Sequence, residues 1–199
     1  MSALAFLSVG AAQGGAVAVS AIARAQRDLG ARFEKRDGWD VPVAIPGEQE
    51  HLAAVGIADL SHLTKLELRP AGEPIQADGV VWYAISPRRA LVLCAPALAA
   101  TVREQVDDRF TLDVTGAYSI IALAGPEAAT VLRRMTHMHH FPAGGEIAHV
   151  QGHVLERATG RWGSAYWILC AQEYGQYVWE VAVDRASALG GGPIGVDAL

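Results

Sequence analysis

Two scarcities in this chain exclude whole classes of protein. Cysteine occurs twice in 199 residues, at Cys94 and Cys170. Each lies inside an apolar, strand-like run, so both read as buried free thiols of a reducing, cytoplasmic compartment. Neither a disulfide framework nor a zinc site is expected. Charge is thin as well: 19% of residues are Asp, Glu, Lys or Arg, the net charge is −5, and no basic run reaches five residues. Such a chain is not expected to meet nucleic acid or a membrane surface. No apolar run reaches the ~20 residues that a membrane helix needs. The apolar opening, Ser2–Ala23, has no Lys or Arg before it and is broken by Gly10, Gln13, Gly14 and Gly15. That composition reads against a signal peptide. Residues 1–15 are expected to form a flexible or partner-bound tail, and residues 16–199 one domain. The glycines at Gly125, Gly144–Gly145 and Gly190–Gly192 make neither a dinucleotide fingerprint nor a P-loop.

What the chain does have is a hydrophobic fraction of 51% and a mean hydropathy of +0.20. That is ample for a sizeable core, and apolar surface left over would suit a partner subunit. Val55–Arg69, VGIADLSHLTKLELR, organises the rest. It reads as a turn at Gly56, a polar Asp59-x-Ser61-His62 corner, and a period-2 strand. In that strand Leu66 and Leu68 point inward, and Lys65, Glu67 and Arg69 point to water.

Around it the pattern predicts a helix over 16–29, strands over 32–36 and 39–45 joined by Asp37–Gly38, and a short helix over 47–55. Strands follow over 79–85, 90–95, 110–114 and 118–123. Helices are expected over 96–106 and after Gly125–Pro126. A loop over 137–141, strands over 146–156, 164–169 and 178–183, a turn at 161–163 and a helical segment over 185–189 complete the reading. Short connections and at least two hairpins favour an α+β fold with antiparallel sheets and flanking helices.

The candidate chemistry is sparse. His137, His139, His140, His149 and His153 cluster in sequence, but an H-x-H-H spacing with no cysteine nearby does not match a metal site. Ser61 and His62 are adjacent, so on an extended chain they face opposite ways and cannot form a nucleophile–base pair. Asp78, Glu173 and Glu180 are expected on loops beside strands, where each could meet a cationic ligand or simply face solvent. Gly125 could cradle an anion or simply permit a turn. Five tryptophans could line a stacking pocket or fill core and interface. The residues alone identify no catalytic centre.

Five segments, taken together and in order, resemble the folate-binding T-protein (aminomethyltransferase) family. They are LGARFEKRDGWDVPV (29–43), VGIADLSHLTKLEL (55–68), IIALAGPEAATVL (120–132), QEYGQYVWEVAV (172–183) and GGPIGVDAL (191–199). The family includes the aminomethyltransferase of glycine cleavage and matching parts of sarcosine- and dimethylglycine-oxidising enzymes. The resemblance implies an α+β fold around a folate pocket, here without the family's C-terminal barrel because the sequence stops at Leu199. It implies Leu63 and Glu173 as folate contacts.

Elsewhere the chain departs from the catalytic members. Their working Asp-Asp pair reads Asp78–Gly79 here, and the link from Leu68 to Asp78 is short. The Arg of their Gly-Ala-Arg-Asp motif is Val196 within Ile194-Gly195-Val196-Asp197. Length and ending are most similar to the gamma subunit of heterotetrameric sarcosine oxidase. That likeness implies an assembly subunit with no catalytic residues or metal of its own, in a heteromeric flavoprotein oxidase. Partner subunits would hold FAD, FMN and NAD, and the one-carbon unit would pass to tetrahydrofolate. An independent tetrahydrofolate-binding, aminomethyltransferase-like protein is the alternative that the same resemblance leaves open.

Overall fold

The computed structural model describes residues 17–106, 109–159 and 163–199. The tail expected at 1–15 lies outside them, as does most of the turn expected at 161–163. The described residues form an α+β fold of three open, largely antiparallel sheets with helices on their outer faces.

The smallest sheet has the order β1-β3-β2, from β1 (Ala18–Val19), β2 (Arg32–Arg36) and β3 (Trp39–Ala44). The β2–β3 hairpin turns as expected through Asp37 and Gly38, at φ 48° and 81°. Two positive φ values in a row match the twist of paired strands. Pro42 lies beyond the two residues that β1 pairs, Trp39 and Asp40, which is the edge-like position that suits it. The helix expected over 16–29 is corrected. Ala18 and Val19 are extended, Ser20 Oγ accepts the Ile22 N–H at 3.1 Å, and only then does α1 (Ala23–Asp28) begin.

The six-stranded sheet has the order β10-β11-β12-β9-β4-β13. Its strands are β4 (Gly56–Asp59), β9 (Tyr118–Ala124), β10 (Ala143–Ile147), β11 (Val150–Thr159), β12 (Gly163–Ala171) and β13 (Gly192–Pro193). β9 shows how the sequence sets the layers. Its residues alternate sides, so Ile121 and Leu123 join one apolar cluster and Ile120 and Ala122 another. The first cluster lies under the helices α4 (Ala128–Arg133) and α5 (Gly175–Ser187), through Val131, Leu132, Val178 and Ala182. The second lies between this sheet and the four-stranded sheet, where Val81, Tyr83, Leu91 and Leu93 meet it.

The four-stranded sheet has the order β6-β7-β5-β8, from β5 (Thr64–Arg69), β6 (Val80–Ser86), β7 (Arg89–Cys94) and β8 (Phe110–Asp113). Its far face is covered by α3 (Ala99–Gln105), with Leu66, Leu68, Val92 and Val102 in a third cluster. The layers therefore run helices, sheet, sheet, helix.

Three further expectations are corrected. Residues 178–183 are helix, not strand: Gly175, Val178, Trp179, Ala182 and Ala186 are the buried positions of α5, a helical spacing. Residues 146–156 are two strands, which turn at Ala148 and His149 with φ 48° and 66°. Gly56 is not a turn but part of β4, and the parallel strand β13 presses on it. A Cβ at Gly56 would lie 2.5 Å from Ile194 Cδ1.

The segment carrying β13 is held by α2 (Glu48–His51), far from it in sequence but packed against it. His51 Nδ1 lies 2.8 Å from the Pro193 carbonyl, and Glu48 Oε2 accepts the Gly195 N–H at 3.1 Å.

Candidate functional site

The water-facing side expected for β5 is also corrected. Lys65 is 0% exposed and Glu67 3%. β5 has β7 on one side and β8 on the other, and its charged face looks at the six-stranded sheet rather than at solvent. Each charge is met on the spot. Lys65 Nζ donates to the carbonyls of Ser61 (2.7 Å) and Thr115 (2.9 Å), which ties the corner before β5 to the turn at 115–117. Burial lowers its pKa to about 8, although Asp59 and Asp113 oppose the shift. Glu67 accepts Arg69 Nε at 2.7 Å on one oxygen and Arg89 Nε at 2.8 Å on the other. Burial alone would raise this carboxyl, but Arg89 and Arg69 outweigh it and hold it below its usual range. Arg89 Nη2 continues to the Tyr118 hydroxyl at 2.9 Å. Nearby Tyr83 Oη and His153 Nδ1 lie 3.1 Å apart, and burial, then Arg89, lowers the His153 pKa.

The Asp59-x-Ser61-His62 corner is a hydrogen-bonded turn. Asp59 Oδ1 accepts the Ser61 N–H at 2.9 Å, and Ser61 Oγ accepts the Ile120 N–H at 3.1 Å. Ser61 Oγ thus binds backbone, and His62 Nδ1 has no partner among the described residues, so the two form no nucleophile–base pair. Asp59 Oδ2 and Ser119 Oγ are also buried without a partner among the described residues.

The two residues expected to touch folate sit in different surroundings. Leu63 packs on the cluster between the sheets, as does Val196, the position where the family's arginine would stand. Glu173 lies in the single 3-10 turn Gln172–Tyr174 that leads into α5, beside a shallow surface dip shared with Ala21, Gln172 and Gln176. It is exposed, and no described side chain pairs with it. Gly79, where the family's working carboxylate would stand, is a turn residue at φ 74° beside Leu98. Asp197 is held in a fork by Arg36, with Arg36 Nη2 to Asp197 Oδ2 at 2.7 Å.

The remaining candidates are peripheral. His137, His139, His140 and His149 are exposed. Among the described residues no three His, Cys, Asp or Glu side chains converge as metal ligands would. Asp78 is exposed, and Glu180 on α5 accepts Gln176 Nε2 at 2.8 Å. Gly125 permits a close turn: its φ is 132°, and a Cβ there would lie 2.6 Å from the Ala54 carbonyl oxygen. Cys94 and Cys170 are buried and free, and burial pushes the Cys170 thiol up to about 12. No helix among the described residues is long and apolar enough to cross a membrane. What sequence reasoning missed is the buried Lys65 and Glu67; its clue was that the strand carries opposite charges at alternate positions.

No family model matches the sequence, and no curated protein matches it significantly. Solved structures do match. The glycine cleavage system aminomethyltransferase T from Bartonella henselae superposes with a TM-score of 0.70 at 16% identity, over 92% of this chain and 60% of that one. The chain thus spans less than two thirds of that enzyme's length. A chain of the heterotetrameric sarcosine oxidase from Corynebacterium sp. U-96, solved in complex with pyrrole 2-carboxylate, superposes with a TM-score of 0.59 at 18% identity. This match covers 87% of the present chain and 96% of that one. At such identities the likeness is one of fold, and the fold is that of the aminomethyltransferase-like proteins.

Proposed function

We propose that this chain is a gamma-type assembly subunit of a sarcosine-oxidase-like complex, without a catalytic centre of its own. In that complex partner subunits hold FAD, FMN and NAD, and the one-carbon unit goes to tetrahydrofolate. The observation that carries the reading is the match over nearly the whole length of a chain from a heterotetrameric sarcosine oxidase. Two local features support it. A glycine turn stands where a working carboxylate would be, and Val196 packs into the core where an arginine would hold folate. A general acid or base has to lie within hydrogen-bond reach of its proton, and the buried ionic groups here are engaged in holding the sheets together. Co-expression with flavin- and NAD-binding candidate subunits, followed by size-exclusion chromatography, tests the reading. Co-elution as one complex is expected; a stable monomer indifferent to them would sink it.

One observation favours the second reading, an independent tetrahydrofolate-binding protein. Glu173 is an exposed carboxylate that pairs with no described side chain, and Leu63 would supply the apolar wall. Calorimetry with tetrahydrofolate separates the two. Micromolar binding by the chain alone, abolished in Glu173→Ala, favours the second reading; no binding favours the first.

A further inference from the structure

On the outer, helical side of the six-stranded sheet, the end of α4 meets the β10–β11 turn and the flank of α5. They enclose a depression of about 190 Å³. Arg133, Arg134, Arg185, His137 and His149 line it, with Glu146 as its carboxylate. Glu146 lies 3.3 Å from His149, and Arg185 is bonded to its neighbour Asp184 at 2.6 Å. Arg133 donates to Thr130 Oγ1 at 3.1 Å and Arg134 to the Arg185 carbonyl at 3.4 Å. Neither meets a carboxylate among the described residues. In a chain of net charge −5, this is a local reversal of sign. The carbonyl end of α4 favours cations. That accounts for arginine at one helix end, but not for arginines from two helices around one hole.

A second depression, also about 190 Å³, shares Arg133. Its wall is mixed: Leu132, Met138, Phe141 and Tyr166, the last two stacked edge to face at 5.6 Å, stand beside His139 and Arg133. Both depressions fall below the ~300–1,000 Å³ typical of small-molecule sites. Each has room for a side chain rather than for a cofactor.

We propose that these two neighbouring depressions dock an acidic–aromatic segment of a partner chain. A carboxylate enters the arginine-lined hole, and an apolar side chain enters its neighbour. The proposal rests on the reading of this protein as an assembly subunit, and it gives the histidine-rich loop a place at the rim of that interface.

The full chain is titrated into a fluorescein-labelled peptide of alternating Glu and Phe, into its Gln-for-Glu counterpart, and against inorganic phosphate as competitor. The acidic peptide is expected to bind, and the Gln peptide at least about tenfold more weakly. R133E/R134E and, separately, R185E should each weaken the acidic peptide by a similar factor; R185E keeps the test decisive if the double variant fails to fold. Equal binding of both peptides, no binding of either, or indifference of the variants overturns the proposal. So does displacement by phosphate at about millimolar concentration, which would mark a small-anion site. The same variants are then run in the co-elution experiment. If the unaltered chain assembles and the variants assemble as tightly, the docking site is wrong and the assembly role stands. If the peptide binds as expected but no complex forms, the assembly role is wrong and the docking site stands.

Discussion

Between the two larger sheets, Arg69 and Arg89 close on Glu67. At the end of α4, Arg133 and Arg134 close on no described carboxylate, and both are exposed. The same residue type does opposite work in the two places. A carboxylate 3% exposed is tolerated only if its charge is matched within the chain, because removal from water costs several kcal/mol otherwise. Once matched it has little left to offer a ligand. An exposed guanidinium pays no such penalty and stays available. Charge free to meet a partner therefore lies on the helical face, and charge already matched lies between the sheets.

Three substitutions sharpen or break that contrast. The largest effect is expected for Glu67→Gln, which leaves Arg89 beside a neutral amide. With both arginines partly exposed, the loss is about 2–3 kcal/mol rather than the full value of a buried pair, read as a shift of the urea midpoint. A loss under about 0.5 kcal/mol would mean that the inner cluster is no more structural than the outer one.

Next comes Lys65→Met, expected to cost about 1–2 kcal/mol at neutral pH because two carbonyls lose their donor. Its sharper signature is in pH. The folded pKa of Lys65 lies below its unfolded value of 10.5, at about 8. Between those values the unfolded chain binds the proton and the folded chain does not, so stability rises with pH across that window. Melting curves from pH 8 to 10.5 should show this rise in the unaltered chain and lose it in Lys65→Met. Identical slopes would count against a depressed pKa.

The smallest effect is expected for R133Q/R134Q. Stability should stay within about 0.5 kcal/mol of the parent, measured in the same urea series. A larger loss would make these arginines structural and erase the comparison.

Much of this fold is legible in the sequence. Asp37–Gly38 announces its hairpin, and Pro126 with Glu127 announces α4, because both signals are local. Three features were not legible, each for a physical reason. Val178–Val183 is rich in β-branched residues, and over so short a window a buried helix and a strand look alike. The turn at Ala148–His149 has positive φ without Gly, Asn or Asp to signal it. Alternation along Thr64–Arg69 tells that two faces differ, but not whether the charged face meets water or another sheet. The candidate site was less legible still. Leu63 and Glu173 came from family likeness, whereas the basic depression is built from residues 133 to 185 and exists only once α4, α5 and the β10–β11 turn are packed.

The strand β13 has a consequence for the order in which this domain can form. His51 and Pro193, which touch in the folded domain, are 142 positions apart. Until residues 192–195 are made, β4 stands as an outer strand with one side unpaired, and the Glu48 carboxylate lacks its Gly195 partner. Long-range pairing of this kind is slow, and exposed strand edges invite wrong partners. During synthesis the six-stranded sheet is thus a growing surface whose last seam closes only as residues 192–195 leave the ribosome. A chaperone or an early-arriving subunit would find β4 open until then.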